Sequence, residues 1–155
     1  MTYDFATKLH EGQKHEQFID EFSGKWYAIR EATRDEQRRG IDRIFTEKKT
    51  GIVTTVEYKA DTTASRTGNA FVETVSVDTA NKPGWAYTSQ ANWLLYYLPQ
   101  DGLIYLWEFA TLRRHLPRWV KQYPARAIPN KGYKTHGVLV PLAEFEQFCD
   151  KVVNL

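Results

Sequence analysis

Two runs rich in branched and aromatic residues, GIDRIFTE (40–47) and GIVTTVEYKA (51–60), meet at Lys48-Lys49-Thr50-Gly51 and constrain this chain more than any other feature. They predict two strands joined by a tight turn. With Glu47 facing Ile52 across that turn, the register sets Asp42 opposite Glu57. Directly opposed side chains have Cβ atoms about 4.5–5.5 Å apart. Two carboxylates at that separation repel unless a proton or a cation is shared between them. Mg²⁺ favours oxygen ligands and is commonly held by one or two carboxylates completed by water and phosphate. Glu57 and Lys59 are two residues apart and share a strand face. Tyr58 points the other way, while its backbone carbonyl stays available as a ligand. A lysine beside such a cation can orient a water or stabilise charge developing on a phosphate. Asp42, Glu57 and Lys59 on neighbouring strands therefore make a physical recipe for phosphodiester hydrolysis.

The rest of the chain supplies elements around this pair. Residues 9–22 predict a helix with Leu9, Phe18, Ile19 and Phe22 near one face, ended by Ser23-Gly24. KWYAIREA (25–32) predicts a strand, and the charged TRDEQRR after it a loop. A polar loop over 60–68 precedes NAFVETVSV (69–77), a further strand, and Asn81-Lys82-Pro83-Gly84 is a turn signal. TSQANWLLYYL (88–98) predicts a short helix capped by Thr88 or Ser89, with Trp93 to Tyr97 in the core. GLIYLWEF is a strand. TLRRHLPRWVKQ is a helix interrupted or kinked at Pro117. Residues 123–136 read as an irregular arm, GVLVPL as a short strand, and AEFEQFCDKVV as a final amphipathic helix. The order implies a mixed α/β fold in one domain over 1–155.

A composition of 42% hydrophobic residues supports a core without disulfides, and the single cysteine, Cys149, excludes both a disulfide framework and a cysteine-based zinc finger. His10, His15, His115 and His136 show no metal-ligand spacing. The N-terminus lacks an apolar leader segment, and no apolar run approaches the roughly 20 residues of a membrane helix. The expectation is a cytoplasmic protein without a membrane partner. The net charge is only +2, yet residues 113–136 carry seven Lys/Arg and no acid, against fourteen Lys/Arg and nineteen acids elsewhere. Arg113, Arg114, Arg118, Lys121, Arg126, Lys131 and Lys134 are thus candidates for phosphate contacts. Trp119, Tyr123 and Tyr133 among them could stack on bases.

The residues Asp42…Glu57-Tyr58-Lys59, following a helix and a strand, resemble the PD-(D/E)xK nuclease superfamily. Thr67-Gly68-Asn69…Glu73, Pro83-Gly84-Trp85 and Thr88-Ser89-Gln90-Ala91 resemble a pattern in some phage and plasmid nucleases of that group, which also includes Holliday-junction resolvases. The position before Asp42 departs from the family's Pro, being Ile41. The resemblance spans about Gly12 to Pro141. It implies a restriction-endonuclease-like mixed central sheet flanked by helices, and Mg²⁺ or Mn²⁺ held by Asp42, Glu57 and the Tyr58 carbonyl. It also implies a helix carboxylate near the metal, for which Gly12-x-x-x-Glu16 matches best and Glu11 competes. Glu73, a charge between Phe71 and Val75 on one strand face, needs a partner; metal-bound water or Lys59 would serve. The implied activity is metal-dependent DNA endonuclease, and family members of this size often act as homodimers. The alternatives are a nucleic-acid-binding module on the same fold without catalysis, and a structural protein whose carboxylates only balance basic neighbours. An RNA substrate stays open as well.

Overall fold

The computed structural model describes residues 5–155; of the N-terminal stretch read for a leader, residues 1–4 lie outside the described residues. Helix α1 (Phe5–Ser23) leads into β1 (Tyr27–Glu31), α2 (Arg34–Arg38), β2 (Arg43–Glu47) and β3 (Val53–Ala60). Helix α3 (Ala64–Thr67), β4 (Asn69–Val77), β5 (Lys82–Pro83) and α4 (Trp85–Thr88) follow, then β6 (Trp93–Leu98) and β7 (Leu103–Glu108). The chain ends with α5 (Phe109–Gln122), β8 (Ala125–Pro129), β9 (Lys134–Pro141), α6 (Leu142–Phe148) and β10 (Lys151–Asn154).

The fold is mixed α/β, with two sheets. The larger runs β1-β2-β3-β6-β7-β10, and the smaller β5-β4-β9-β8. In the larger sheet β3 and β6 are parallel and every other pair is antiparallel. The connection between those parallel strands, residues 61–92, carries β4 and β5 into the second sheet and is the first chain crossing between the sheets; residues 109–150 make another excursion, through β8 and β9, before β10 returns. The β2–β3 register is the one the turn implies, from Arg43↔Val56 to Thr46↔Val53.

Several elements differ from the sequence expectation. Residues 88–98 are not a helix: Trp93–Leu98 is the strand between β3 and β7. Leu94, Tyr96 and Leu98 enter one core cluster and Leu95 and Tyr97 the other. A strand buried on both faces shows no alternation, so its apolar run resembles a buried helix. The last predicted helix stops at Phe148. Val152 and Val153 leave it to pair with β7, and Asp150 Oδ2 accepts the Glu108 N–H at 2.8 Å. The predicted irregular arm is a hairpin, β8–β9, with Gly132 at φ +85° in its turn. Pro129 is tolerated because β8 is an edge strand. The TRDEQRR segment holds the short helix α2, closed by a capping box between Thr33 and Glu36. Helix α5 runs through Pro117, whose ring is exposed while Leu112, Leu116 and Trp119 hold the inner face.

The main core lies between the two sheets and α5 and α6, built on Trp107, Trp119, Phe145, Val72 and Val140. The opposite face of the large sheet is partly covered by α1 through Ile19, against Phe45, Val56, Tyr58 and Tyr97. The carboxylates of interest sit at the end of β3 nearest the chain crossing. Among the described residues no helix is long and apolar enough to cross a membrane.

Candidate active site

Asp42 lies one residue outside the β2–β3 ladder. Its N–H donates to the Val56 carbonyl (2.8 Å), and its own Oδ2 accepts the Tyr58 N–H (2.7 Å). The side chain thus takes the place of the next rung and ties Asp42 to β3 beside Glu57. Tyr58 turns its N–H toward β2, and in a strand the carbonyl of the same residue points to the same edge. The Tyr58 carbonyl therefore looks past the end of β2, beside Asp42.

Glu57 is buried, with 4% of its surface exposed. Its Oε1 pairs with Lys59 Nζ at 3.0 Å, while Oε2 has no hydrogen-bond partner. Ser89 stands beside Glu57, but its hydroxyl proton goes to the Gly40 carbonyl at 2.8 Å. Burial pushes the Glu57 carboxyl above the ordinary range; Lys59 and the neighbouring Ser89 hydroxyl oppose this, and Asp42 adds to it. Burial pulls the other way on Lys59, yet Glu57, Asp42 and Glu73 outweigh it and hold the ammonium above its usual pKa. Lys59 is also 6.0 Å from the centre of the Trp85 ring.

Glu73 comes from the second sheet. Its Oε1 accepts the Trp85 N–H (3.2 Å), and its charge acts on Lys59. Gly84 lies so close that a Cβ there would meet the Glu73 carbonyl oxygen at 2.4 Å, which accounts for glycine before Trp85. The expected shared face of Phe71, Glu73 and Val75 is broken by a register shift: Glu73 pairs with Gly137 but Val75 with His136. A bulge of this kind re-aims a side chain at a sheet edge or a site.

Glu16 belongs to a neighbouring cluster. Its Oε2 accepts from Arg43 Nη2 at 3.3 Å. Burial raises its carboxyl, Arg43 opposes, and Asp42 and Asp20 add to the rise. Glu16 and Glu11 line a cleft of about 550 Å³ with Lys8, His15, Thr62 and Lys59. Arg43 Nε binds Asp20 at 3.0 Å, and Tyr58 Oη donates to the same carboxylate at 2.8 Å.

The seven predicted phosphate contacts are dispersed. Arg113 turns inward: its guanidinium donates to the carbonyls of Ala86 and Ser89 and stacks 4.8 Å from the Phe109 ring centre. Arg118 pairs with Glu144 and lies over Phe148. Arg114 and Lys121 are exposed on α5, and Arg126, Lys131 and Lys134 on the β8–β9 hairpin. Arg126 shares a row with Glu73 through Gly137. Ser89 was legible only as a helix cap; Arg113 as a brace carried no sequence signal, because its partners are backbone carbonyls of a distant turn.

Among the described residues no three acidic, histidine or cysteine side chains converge as a preformed metal cage. What the site offers is two neighbouring carboxylates, with one buried oxygen, Glu57 Oε2, without a partner. That donor set fits a Mg²⁺-type ion, which takes few protein ligands and keeps water and phosphate in the remaining positions. Compared with known proteins, the chain matches no family model, no curated protein and no solved structure.

Proposed function

We propose that the chain is a metal-dependent endonuclease of DNA, with a restriction-endonuclease-like core formed by α1, β1–β3 and β6. The observation that carries this reading is the buried, partnerless Glu57 Oε2 beside Asp42, with Lys59 Nζ 3.0 Å from the other oxygen of the same carboxylate. A buried acceptor left unsatisfied costs about 1–3 kcal/mol, so its retention points to an occupant. The antiparallel β1-β2-β3 meander with β6 parallel to β3 supports the core assignment.

Asp42, Glu57 and the Tyr58 carbonyl would hold Mg²⁺ or Mn²⁺, and Glu16 would sit within the field of the site. A bound divalent cation there supplies Lewis-acid polarisation of a phosphoryl oxygen and a lower pKa for water. Lys59, held protonated by Glu57, Asp42 and Glu73, donates to the attacking water or to a non-bridging phosphate oxygen as charge develops. Asp42 stays oriented by the Tyr58 N–H. Glu73 keeps Trp85 against Lys59 and limits the rotamers Lys59 can take. Arg114, Lys121, Arg126, Lys131 and Lys134 are the exposed members of the basic set and would position the backbone without reading sequence.

The test is cleavage of supercoiled plasmid and of branched and single-stranded DNA with Mg²⁺ or Mn²⁺, beside EDTA and Lys59→Ala. Metal-dependent nicking that disappears in the variant supports the reading. Binding of DNA without cleavage of any substrate would replace it with the non-catalytic module.

A further inference from the structure

The charges of α2 and its C-cap are balanced unevenly. Glu36 is engaged by Arg30 at 3.0 Å and by the Thr33 N–H. Arg38 in the last turn and Arg39 at its C-cap are both exposed, and among the described residues neither has an ion-pair partner. The segment that follows is clipped in place. The Arg39 carbonyl accepts the Gln90 N–H at 2.8 Å, and the Gly40 carbonyl accepts the Ser89 hydroxyl at 2.8 Å. Gly40 has φ +76°, and a Cβ there would meet Ser89 Cα at 2.9 Å. Arg113 fixes the other side of the clip through the Ala86 and Ser89 carbonyls. Arg39 is three residues from Asp42, so their Cα atoms are at most about 11 Å apart. The clip ties this segment to Ser89, which stands beside Glu57.

We infer that Arg38 and Arg39 form a phosphodiester-binding surface that grips the nucleic-acid backbone close to Asp42 and Glu57. The inference rests on the nuclease reading and adds a contact that the basic stretch 113–136 does not contain. Two unpaired guanidinium groups on a rigid segment fit phosphate oxygens in bidentate geometry. Gln90, exposed and bonded to Arg39, lies at the same edge.

The experiment is fluorescence anisotropy of a labelled mixed-sequence DNA duplex in EDTA, where hydrolysis does not compete, across a salt series. The proteins are wild type, Arg38→Ala/Arg39→Ala, Arg38→Lys/Arg39→Lys, and Arg126→Ala/Lys131→Ala/Lys134→Ala. The alanine pair is expected to lower the salt slope by about two and the affinity roughly 10- to 100-fold at 0.1 M salt. The lysine pair is expected to keep the slope, which a loss of fold would not allow. Loss in the hairpin variant in addition would mean contact on both sides of the site and leaves the inference standing. An alanine pair that binds like wild type overturns this surface while plasmid cleavage by the same protein keeps the nuclease reading. A wild-type protein that neither binds nor cuts DNA overturns both.

Discussion

Strands β2 and β3 present two charged clusters on opposite faces, from consecutive residues, and the clusters are satisfied very differently. On the face toward α1, Arg43 is buried and its guanidinium reaches Asp20, Glu16 and the Asp42 carbonyl, while Tyr58 donates to Asp20. On the other face, Glu57 is equally buried, yet one oxygen has no partner and the other depends on a partly exposed lysine. The first cluster closes on itself and anchors α1. The second is left open toward the chain crossing. Buried polar groups are nearly always paired, so an unpaired one marks either strain or a missing ligand. Side by side, the two faces separate a charge cluster whose buried members are paired from one that keeps a buried oxygen unpaired.

Substitutions on the two faces should therefore diverge. The largest effect on stability is expected from Arg43→Ala, which leaves the partly exposed Asp20 and Glu16 without their cation; urea unfolding should show a loss of about 1.5–3 kcal/mol. If the loss is negligible, the closed cluster is not what anchors α1. Next comes Lys59→Ala. Initial rates of metal-dependent plasmid cleavage should fall about 10²- to 10³-fold, with a smaller shift of the unfolding midpoint than Arg43→Ala produces. A smaller effect on stability is expected from Glu57→Gln. The amide removes a desolvated charge but also the partner of the partly exposed Lys59, so stability should change by no more than about 1 kcal/mol, while cleavage is abolished; marked destabilisation would place Glu57 among the structural charges.

The smallest effect tests a third environment. His115 lies against Trp107, Trp119 and Phe148, with Nδ1 3.2 Å from Arg118. Burial and the Arg118 charge depress its pKa. The unfolded chain then takes up a proton at higher pH than the folded one. Its contribution is fully present above the unfolded value, about 6.5, and declines as pH falls toward the folded value. The stability of wild type relative to His115→Gln should fall over that interval. A flat difference would show that the ring is not held neutral by its surroundings.

Much of the site was readable because it depends on local rules. The turn at 48–51 sets the β2–β3 register, and alternation puts Glu57 and Lys59 on one face. What escaped was of another kind. The Asp42 carboxylate substitutes for a ladder bond, the bulge after Glu73 breaks strict alternation, and Gly84 packs on the Glu73 backbone. Each depends on contacts between segments distant in sequence. The misreading of Trp93–Leu98 has the same origin, since burial on both faces erases the period that would mark a strand. The 113–136 stretch was basic in sequence, but Arg113 and Arg118 turn to internal partners, while Arg38 and Arg39, in the segment read as a charged loop, are exposed and have no ion-pair partner among the described residues.

The sequence by itself determined the central hairpin, its register and the face shared by Glu57 and Lys59, because these follow from turn length and the two-residue period of a strand. Only the tertiary structure decided which charges are satisfied. Whether a carboxylate is paired, shielded or left open depends on which distant segment packs against it: α1 supplies partners to Arg43, whereas the residue 84–92 segment brings Trp85 and Ser89 beside Glu57 without satisfying its second oxygen.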